Sequence, residues 1–211
     1  MTPAAQAAPT EAGAEATADA APVDVQVLSH RGVWHVDPLH TGVHFRGLNR
    51  GAGRVRGRFD RVRGTVGFKE GIERPHIDVR VELGSVSTGV AARDRHLRSA
   101  DYLDVAAHPY MTFTSKRLVR TGRGIGELIG ELALHGVTRP LVLDVEWRGG
   151  APDVRPGARH AAFGARGQLS LGEYGIRPLL LPGLTIPGVG DRVGIQLDVV
   201  LVPYDPAAGL S

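Results

Sequence analysis

The chain has 211 residues, of which 42% are hydrophobic and 22% charged, a balance typical of one globular domain with a sizeable core. It contains no cysteine, which excludes a disulfide framework, a thiol nucleophile and any Cys-ligated metal. No stretch approaches the roughly 18 consecutive apolar residues of a membrane-spanning helix.

The first 24 residues differ in composition from the rest. They carry four acidic residues, no Lys or Arg and almost no large apolar side chain. Because such a segment cannot bury enough surface to offset the entropy of ordering, we expect a disordered tail over 1–24 and one domain over 25–211. That domain holds all 25 Lys and Arg residues and 18 of the 22 acids, a balance of +7. The N-terminal segment lacks the basic and apolar stretches of a signal peptide, so a chain beginning at Met1 is expected in the cytoplasm. A different start site would allow a periplasmic or secreted protein.

Alternation of apolar and polar residues runs through most of the domain. A period of two predicts strands with one buried and one solvated face. The segments with this pattern are 43–48, 55–59, 62–68, 76–83, 110–115, 128–134, 141–147, 161–169 and 192–201. Their Gly- and Pro-bearing connections leave little room for helical crossovers, which favours an antiparallel sandwich or barrel.

Residues 88–104 break this alternation and predict a short helical insert. Thr88 is a suitable N-cap, and Asp94 and Arg98 are spaced for an ion pair on one helix face. A second short turn is expected to begin at residues 99–101. Such an insert is suited to closing one end of a barrel.

Small residues fall on predicted inner faces, among them Gly47, Gly57, Gly64 and Ala165. They let a sheet bend and backbones approach closely, or they leave the interior unfilled. An eight-stranded barrel is near the size at which side chains either fill the middle or leave room for one ligand. The pattern alone favours neither interpretation.

Candidates for chemistry are few. We expect Arg93 and Asp94 to pair and anchor the insert to the barrel rim, with contact between Arg93 and a ligand head group as the alternative. His40 and His44 lie four apart, but no Cys or HExxH-type helix supplies further zinc ligands, so no metal site is predicted, and His135 is expected to make a turn hydrogen bond. No Gly-x-Ser-x-Gly or phosphate-binding glycine loop is present, so no catalytic residue is assigned. The enzymatic alternative, a hydrolase or hydratase, would use His40, Asp37 or the Arg93 and Asp94 pair.

Seven arginines cluster between residues 46 and 63, and Arg54, Arg56 and Arg58 share one outer strand face. Nucleic-acid grooves interleave such charge with stacking aromatics, whereas Phe45 and Phe59 point inward by parity, so no nucleic-acid partner is expected. The stripe is interpreted as a solvated face that discourages edge pairing. The alternative is a transient contact with a membrane surface.

Several short motifs occur in an order that resembles the YceI-like family. They are residues 34–41 (WHVDPLHT) with Phe45, 57–59 (GRF), 85–88 (SVST), 93–97 (RDRHL), 101–104 (DYLD), 108–109 (HP), 113–115 (FTS) and 134–140 (LHGVTRP). The matching order and spacing extend over roughly residues 33 to 202. One segment departs from the family pattern, because residues 171–175 (LGEYG) lack its arginine.

This resemblance implies an all-β fold, an antiparallel lipocalin-like β-barrel with a short helical insert. The implied function is binding, storage or transport of a long-chain isoprenoid or similar amphiphilic lipid, such as a quinone-like lipid, with no cofactor. Members of the family are often dimeric, so a homodimer is expected.

Apolar walls bind a hydrocarbon by excluding solvent, at about 0.8 kcal/mol per buried CH₂ before ordering costs. We therefore expect a lipid-binding barrel that is not an enzyme, the alternative being a surface-interaction or stress-linked module with a filled barrel. Residues 177–188 (RPLLLPGLTIPG) are unusually apolar for a loop and are a candidate lip at the barrel mouth. The residues expected to line the cavity are Phe45, Phe59, Val81, Leu83, Leu97, Tyr102, Leu103, Phe113, Leu132, Leu134, Phe163, Ala165 and Leu197.

Overall fold

A computed structural model describes residues 32–49, 53–152, 159–176 and 191–203. The strands are β1 (Val33–Val36), β2 (Gly42–Asn49), β3 (Gly53–Phe59), β4 (Val62–Gly67), β5 (His76–Glu82), β6 (Val86–Ser87), β7 (Tyr110–Gly122), β8 (Ile125–Leu134), β9 (Val137–Pro152), β10 (Arg159–Ser170) and β11 (Arg192–Pro203). One helix, α1 (Ala91–Arg98), and two 3-10 turns, Leu83–Ser85 and Leu171–Tyr174, complete the elements of these ranges. None of their helices is long and apolar enough to cross a membrane. The predicted tail over 1–24 and the candidate lip over 177–188 lie outside the described residues.

Eight strands close into a barrel in the order β1-β4-β5-β7-β8-β9-β10-β11. The first strand completes the ring, because Trp34 pairs with Val66 of β4 on one side and with Pro203 of β11 on the other. Strands β2, β3 and β6 continue the sheet from β11. All the pairings are antiparallel. The predicted all-β antiparallel barrel with a short helix is therefore confirmed.

The alternating sequence pattern sets which face of each strand is buried. In β8 the inward residues are buried at every second position, and in β9 Leu141 and Leu143 are buried while Val142 between them is exposed. Each of the nine predicted segments lies in a strand, within one residue at its ends. The observed β7 and β9 extend well past their predicted ends, where much of the strand is exposed and the alternation weakens.

The helical insert forms where it was predicted, but its local contacts differ. The residue before α1 is Val90, which makes no side-chain cap bond, so Thr88 is not the N-cap. Instead Asp94, inside the helix, accepts hydrogen bonds from the Thr88 amide at 2.9 Å and the Thr88 hydroxyl at 2.5 Å. Arg98 donates to the carbonyl of Gly84 at 3.3 Å rather than pairing with Asp94. A buried carboxylate needs donors, and the Thr88 amide and hydroxyl supply two of them.

One end of the barrel is filled by the insert. The predicted second turn is present, since the Tyr102 amide donates to the Ser99 carbonyl at 3.1 Å. Leu97 from the helix and Tyr102 and Leu103 from this turn belong to one buried cluster with inward residues of the strands. Leu83 is completely buried in the same cluster. The insert therefore closes this end with packed side chains.

Candidate functional site

The barrel encloses a cavity of about 200 Å³. Its walls are apolar, and none of the described residues that line it is charged. The single hydroxyl in this described lining belongs to Thr41, which donates to the Val200 carbonyl at 3.4 Å and accepts from the Val200 amide at 3.1 Å. Because that hydroxyl is already bonded to the main chain, the walls offer a ligand apolar contact and little else.

The volume is large enough for a hydrophobic guest. An engineered protein cavity of about 150 Å³ lined by Leu, Ile and Phe stays dry and binds benzene. The cavity of this barrel has a similar chemistry and a larger volume. As it stands it accommodates a segment of an aliphatic chain, and a polar or charged guest would lose its hydration without gaining partners.

The cavity lies toward the end of the barrel opposite the insert. The loop between β4 and β5 contributes Phe68, Ile72 and Pro75 to the lining. Strand β5 starts at this loop and ends at the insert, so the two features stand at opposite ends of the barrel. An apolar chain would therefore lie between this loop and the packed residues around Leu83.

Six of the thirteen predicted wall residues line the cavity: Val81, Phe113, Leu132, Phe163, Ala165 and Leu197. The other seven lie outside its lining: Phe45, Phe59, Leu83, Leu97, Tyr102, Leu103 and Leu134. These seven belong to, or pack against, the buried cluster that contains the insert residues, a cluster that also extends to wall residues such as Phe113, Leu132 and Ala165. The alternating pattern identifies an inward side chain but not its height along the barrel, so it does not separate cavity wall from packed end.

The remaining lining residues were not singled out from the sequence. Most of them lie on the inward faces of strands that the alternation had already identified, such as Ile77, Val79 and Ile195. The period of two could therefore have identified them as candidates for the cavity wall. Phe68 continues the alternation of residues 62–68, whereas Ile72 and Pro75 carry no such signal, since they lie in the loop between β4 and β5. The full additional set is Val36, Thr41, Val43, Val62, Val66, Phe68, Ile72, Pro75, Ile77, Val79, Met111, Leu118, Leu128, Leu141, Leu143, Val145, Leu169, Ile195, Val199 and Leu201.

The small inward residues serve two different purposes. At Gly57 a Cβ atom would lie 2.3 Å from Cζ of Phe45, so this glycine allows the phenyl ring to pack against the backbone. At Gly64 a Cβ would lie 2.7 Å from the Asp78 carbonyl oxygen, again a close approach. Ala165, in contrast, borders the empty cavity. Close packing and free interior space, which the sequence left open as alternatives, therefore both occur.

Arg93 and Asp94 hold the insert through a shared partner. The Arg93 Nε donates to the Thr88 hydroxyl oxygen at 2.8 Å, and its Nη2 donates to the Thr88 carbonyl at 3.2 Å. Within the described residues the two side chains form no ion pair with each other, which corrects the predicted direct pairing. Both instead meet at Thr88, next to β6, and neither lines the cavity.

His40 makes a local contact with Asp37. Its Nδ1 lies 2.7 Å from the Asp37 carboxylate, and the imidazole is 70% exposed. Burial by itself would raise the pKa of Asp37, but hydrogen bonds from His40 and from the Leu39 amide outweigh it and hold that pKa below its usual value. The pair fixes the loop between β1 and β2.

Two buried tyrosines stand at the packed end. Burial raises the pKa of the Tyr102 phenol well above its usual range. Burial likewise raises the pKa of Tyr174, in the second 3-10 turn. Both phenols are therefore neutral below the pH at which an exposed tyrosine ionises.

Comparison with known proteins identifies the family of this barrel. The model of the YceI-like domain matches residues 34–201, nearly all of the described barrel. The chain belongs to the YceI-like family. Among its YceI-like relatives is a UPF0312 protein of Vibrio cholerae, 33% identical over 161 residues that cover 76% of this chain and 80% of the relative. The predicted resemblance is confirmed.

Solved structures share the YceI-like fold. BcnA of Burkholderia cenocepacia superimposes with a TM-score of 0.64 at 16% identity, covering 78% of this chain and 98% of that one. A polyisoprenoid binding domain from Saccharophagus degradans superimposes with a TM-score of 0.57 at 14% identity, covering 81% of this chain and 98% of the domain. At these identities the likeness concerns the architecture.

Proposed function

We propose that this protein binds a long-chain isoprenoid or a similar amphiphilic lipid, such as a quinone-like lipid, inside the barrel without transforming it. The observation that carries the proposal is the cavity of about 200 Å³, whose described walls are apolar and uncharged. Membership of the YceI-like family supports it, as does the likeness to a solved domain described as polyisoprenoid binding. The alternative of a filled barrel acting only through its surface is disfavoured by this cavity.

The physical basis of binding is the removal of apolar surface from water. Each methylene that enters contributes about 0.8 kcal/mol, reduced by the cost of ordering the chain. Because the walls lack directed polar groups, they select for shape and apolarity rather than for one head group. We therefore expect affinity to follow the length of chain that fits between the loop at residues 68–75 and the packed end.

Native mass spectrometry of the purified protein, followed by solvent extraction, tests the proposal directly. We expect a bound species that is released by extraction and identified as an apolar chain. A displacement assay with isoprenoid alcohols of increasing length adds a quantitative arm, in which affinity rises per isoprene unit and then levels off. Absence of any co-purified lipid, together with equal or undetectable binding of short and long alcohols, would contradict the proposal.

The same proposal includes a transient contact with a membrane, from which the lipid is collected. Arg46 and Arg56 are cross-strand partners on the outer face of β2 and β3, and Arg54 lies on the same face. All three are exposed, and within the described ranges none has an ion-pair partner. Each free basic side chain near an anionic lipid surface contributes about 1 kcal/mol.

Vesicle sedimentation tests this contact. We expect the chain to sediment with vesicles containing an anionic phospholipid but not with neutral vesicles, and to be released by salt. The double variant Arg54→Gln/Arg56→Gln should lose most of this binding, whereas Arg120→Gln/Arg123→Gln, which removes the same charge elsewhere, should keep it. Equal losses in the two variants would refute a specific surface.

The expected homodimer and the expected cytoplasmic location remain predictions. Analytical ultracentrifugation of the purified chain tests the first, and fractionation of cells producing the native gene product tests the second.

A further inference from the structure

Three side chains that could bind a metal converge at the packed end of the barrel. Asp104 and His108 follow α1, and His135 lies in the turn between β8 and β9. One ligand atom from each of the three lies within 4.8 Å of the others. The imidazole rings of His108 and His135 are 4.8 Å apart between centroids, tilted by 56°. None of the three lines the cavity, so this cluster is separate from the lipid site.

The backbone brings these groups together across a long stretch of sequence. The His108 amide donates to the Asp104 carbonyl at 2.8 Å, which closes a turn and keeps these two residues close to each other. Both Asp104, with φ of 43°, and His135, with φ of 51°, adopt the left-handed region. That region is uncommon for residues other than glycine, and strained positions tend to occur at functional sites.

The hydrogen bond of His135 defines which of its nitrogens is available. Its Nδ1 lies 3.2 Å from the carbonyl oxygen of Tyr174, 39 residues away, so the predicted bond within the turn is replaced by one to another segment. A carbonyl oxygen only accepts, so Nδ1 carries the proton and the lone pair of the neutral ring resides on Nε2. A metal-binding histidine commonly donates its other N–H to a backbone carbonyl in this way.

We propose that Asp104, His108 and His135 form a site for a divalent transition-metal ion of the zinc type. Two imidazoles and one carboxylate are ligands that suit Zn²⁺ and disfavour Ca²⁺ or Mg²⁺, which prefer oxygen. At metal–ligand distances of about 2.0–2.1 Å, tetrahedral ligand atoms stand roughly 3.4 Å apart, so binding requires only a modest closure of these side chains. Water or another small ligand completes the coordination.

The bound ion would tie three segments together at the closed end. Asp104 and His108 belong to the insert, His135 to the β8–β9 hairpin, and His135 is in turn held by the turn at Tyr174. The site therefore serves to hold the insert onto the barrel. The site is spatially separate from the cavity, because the two share no lining residue among those described.

Zinc titration of the chelator-treated full chain tests the proposal. We expect one high-affinity equivalent by calorimetry, a higher melting temperature with zinc, and a tetrahedral absorption spectrum with Co²⁺. His108→Gln and His135→Asn should each weaken the affinity more than tenfold and abolish the cobalt spectrum. Asparagine tolerates the left-handed backbone at position 135, so the second variant removes the imidazole with little added strain.

His40→Gln is the control, because it removes an imidazole that lies outside the proposed site and should leave zinc affinity unchanged. Circular dichroism establishes that each variant is folded. The proposal is overturned by a wild-type chain without a stoichiometric zinc site, or by folded His108→Gln and His135→Asn variants that bind zinc as tightly as the wild type.

Discussion

Filling the cavity from its wall should weaken lipid binding strongly without unfolding the protein. Ala165 is buried at the wall on β10, where its methyl group borders the empty space. We expect Ala165→Trp to place an indole in that space. In a densely packed core the same substitution would be destabilising by about 1–3 kcal/mol through overpacking.

The size of the effect follows from the cavity volume. An empty cavity costs about 24 cal/mol per Å³, so about 200 Å³ corresponds to about 5 kcal/mol that a guest recovers by filling it. An indole occupying half of this volume would remove about 2.4 kcal/mol from the lipid, a loss of roughly fiftyfold in affinity. The melting temperature of the lipid-free variant should be equal to that of the wild type or higher.

A fluorescent lipid-displacement assay with a thermal melt measures both quantities. Gln168→Trp is the control, because it adds the same side chain to the same strand at an exposed, outward position. We expect normal lipid binding in this control. Full lipid uptake by Ala165→Trp, or a drop of several kcal/mol in its stability, would show that the wall position assigned to Ala165 is wrong.

Three further predictions concern the packed end and its contrast with the cavity wall. Leu83→Ala, at a completely buried position, should lower the free energy of unfolding by about 2–5 kcal/mol. Leu197→Ala, at the cavity wall, should lower it by clearly less, because the Leu197 side chain already borders free space. Equal losses of unfolding free energy in chemical denaturation would argue against a cavity at Leu197. Thr88→Val removes the hydroxyl shared by Arg93 and Asp94 and should lower the free energy of unfolding by about 1–3 kcal/mol. The control Thr138→Val, on the exposed face of β9, should change that free energy by no more than about 0.5 kcal/mol. Similar values for the two variants would mean that Thr88 does not anchor the insert. The raised pKa of Tyr102 favours the folded state fully below the unfolded tyrosine pKa of about 10, and this stabilisation is lost as the pH rises above that value toward the folded pKa. Stability measured between about pH 9 and 12 should therefore fall with pH, and Tyr102→Phe should reduce the slope; an unchanged slope would place the alkaline sensitivity elsewhere.

The strands and the all-β class follow from the sequence because both depend on local pattern. Alternation at residues 76–83 and 192–201 identifies which side chains face inward, since successive side chains point to opposite faces of a strand. The family is likewise indicated by the sequence alone, through the order of the motifs from residue 34 to residue 140. The existence of the insert was also predictable from the sequence. The hydrogen bonds at its start were not, because Thr88 donates to the Asp94 carboxylate inside the helix instead of capping the helix.

The division of the interior into an open cavity and a packed end was decided by tertiary structure. Phe45 and Phe163 are both inward aromatic residues of regular strands, yet Phe45 packs in the filled end and Phe163 lines the cavity. Their difference depends on the height of each residue in the barrel and on where the insert lies, neither of which is a local property. The Asp104, His108 and His135 cluster has the same origin, since closing the barrel brings together ligands from segments that are distant in the chain. A pattern of period two determines the direction of a side chain, whereas its neighbours across the interior are determined by strand register and by the packing of the insert.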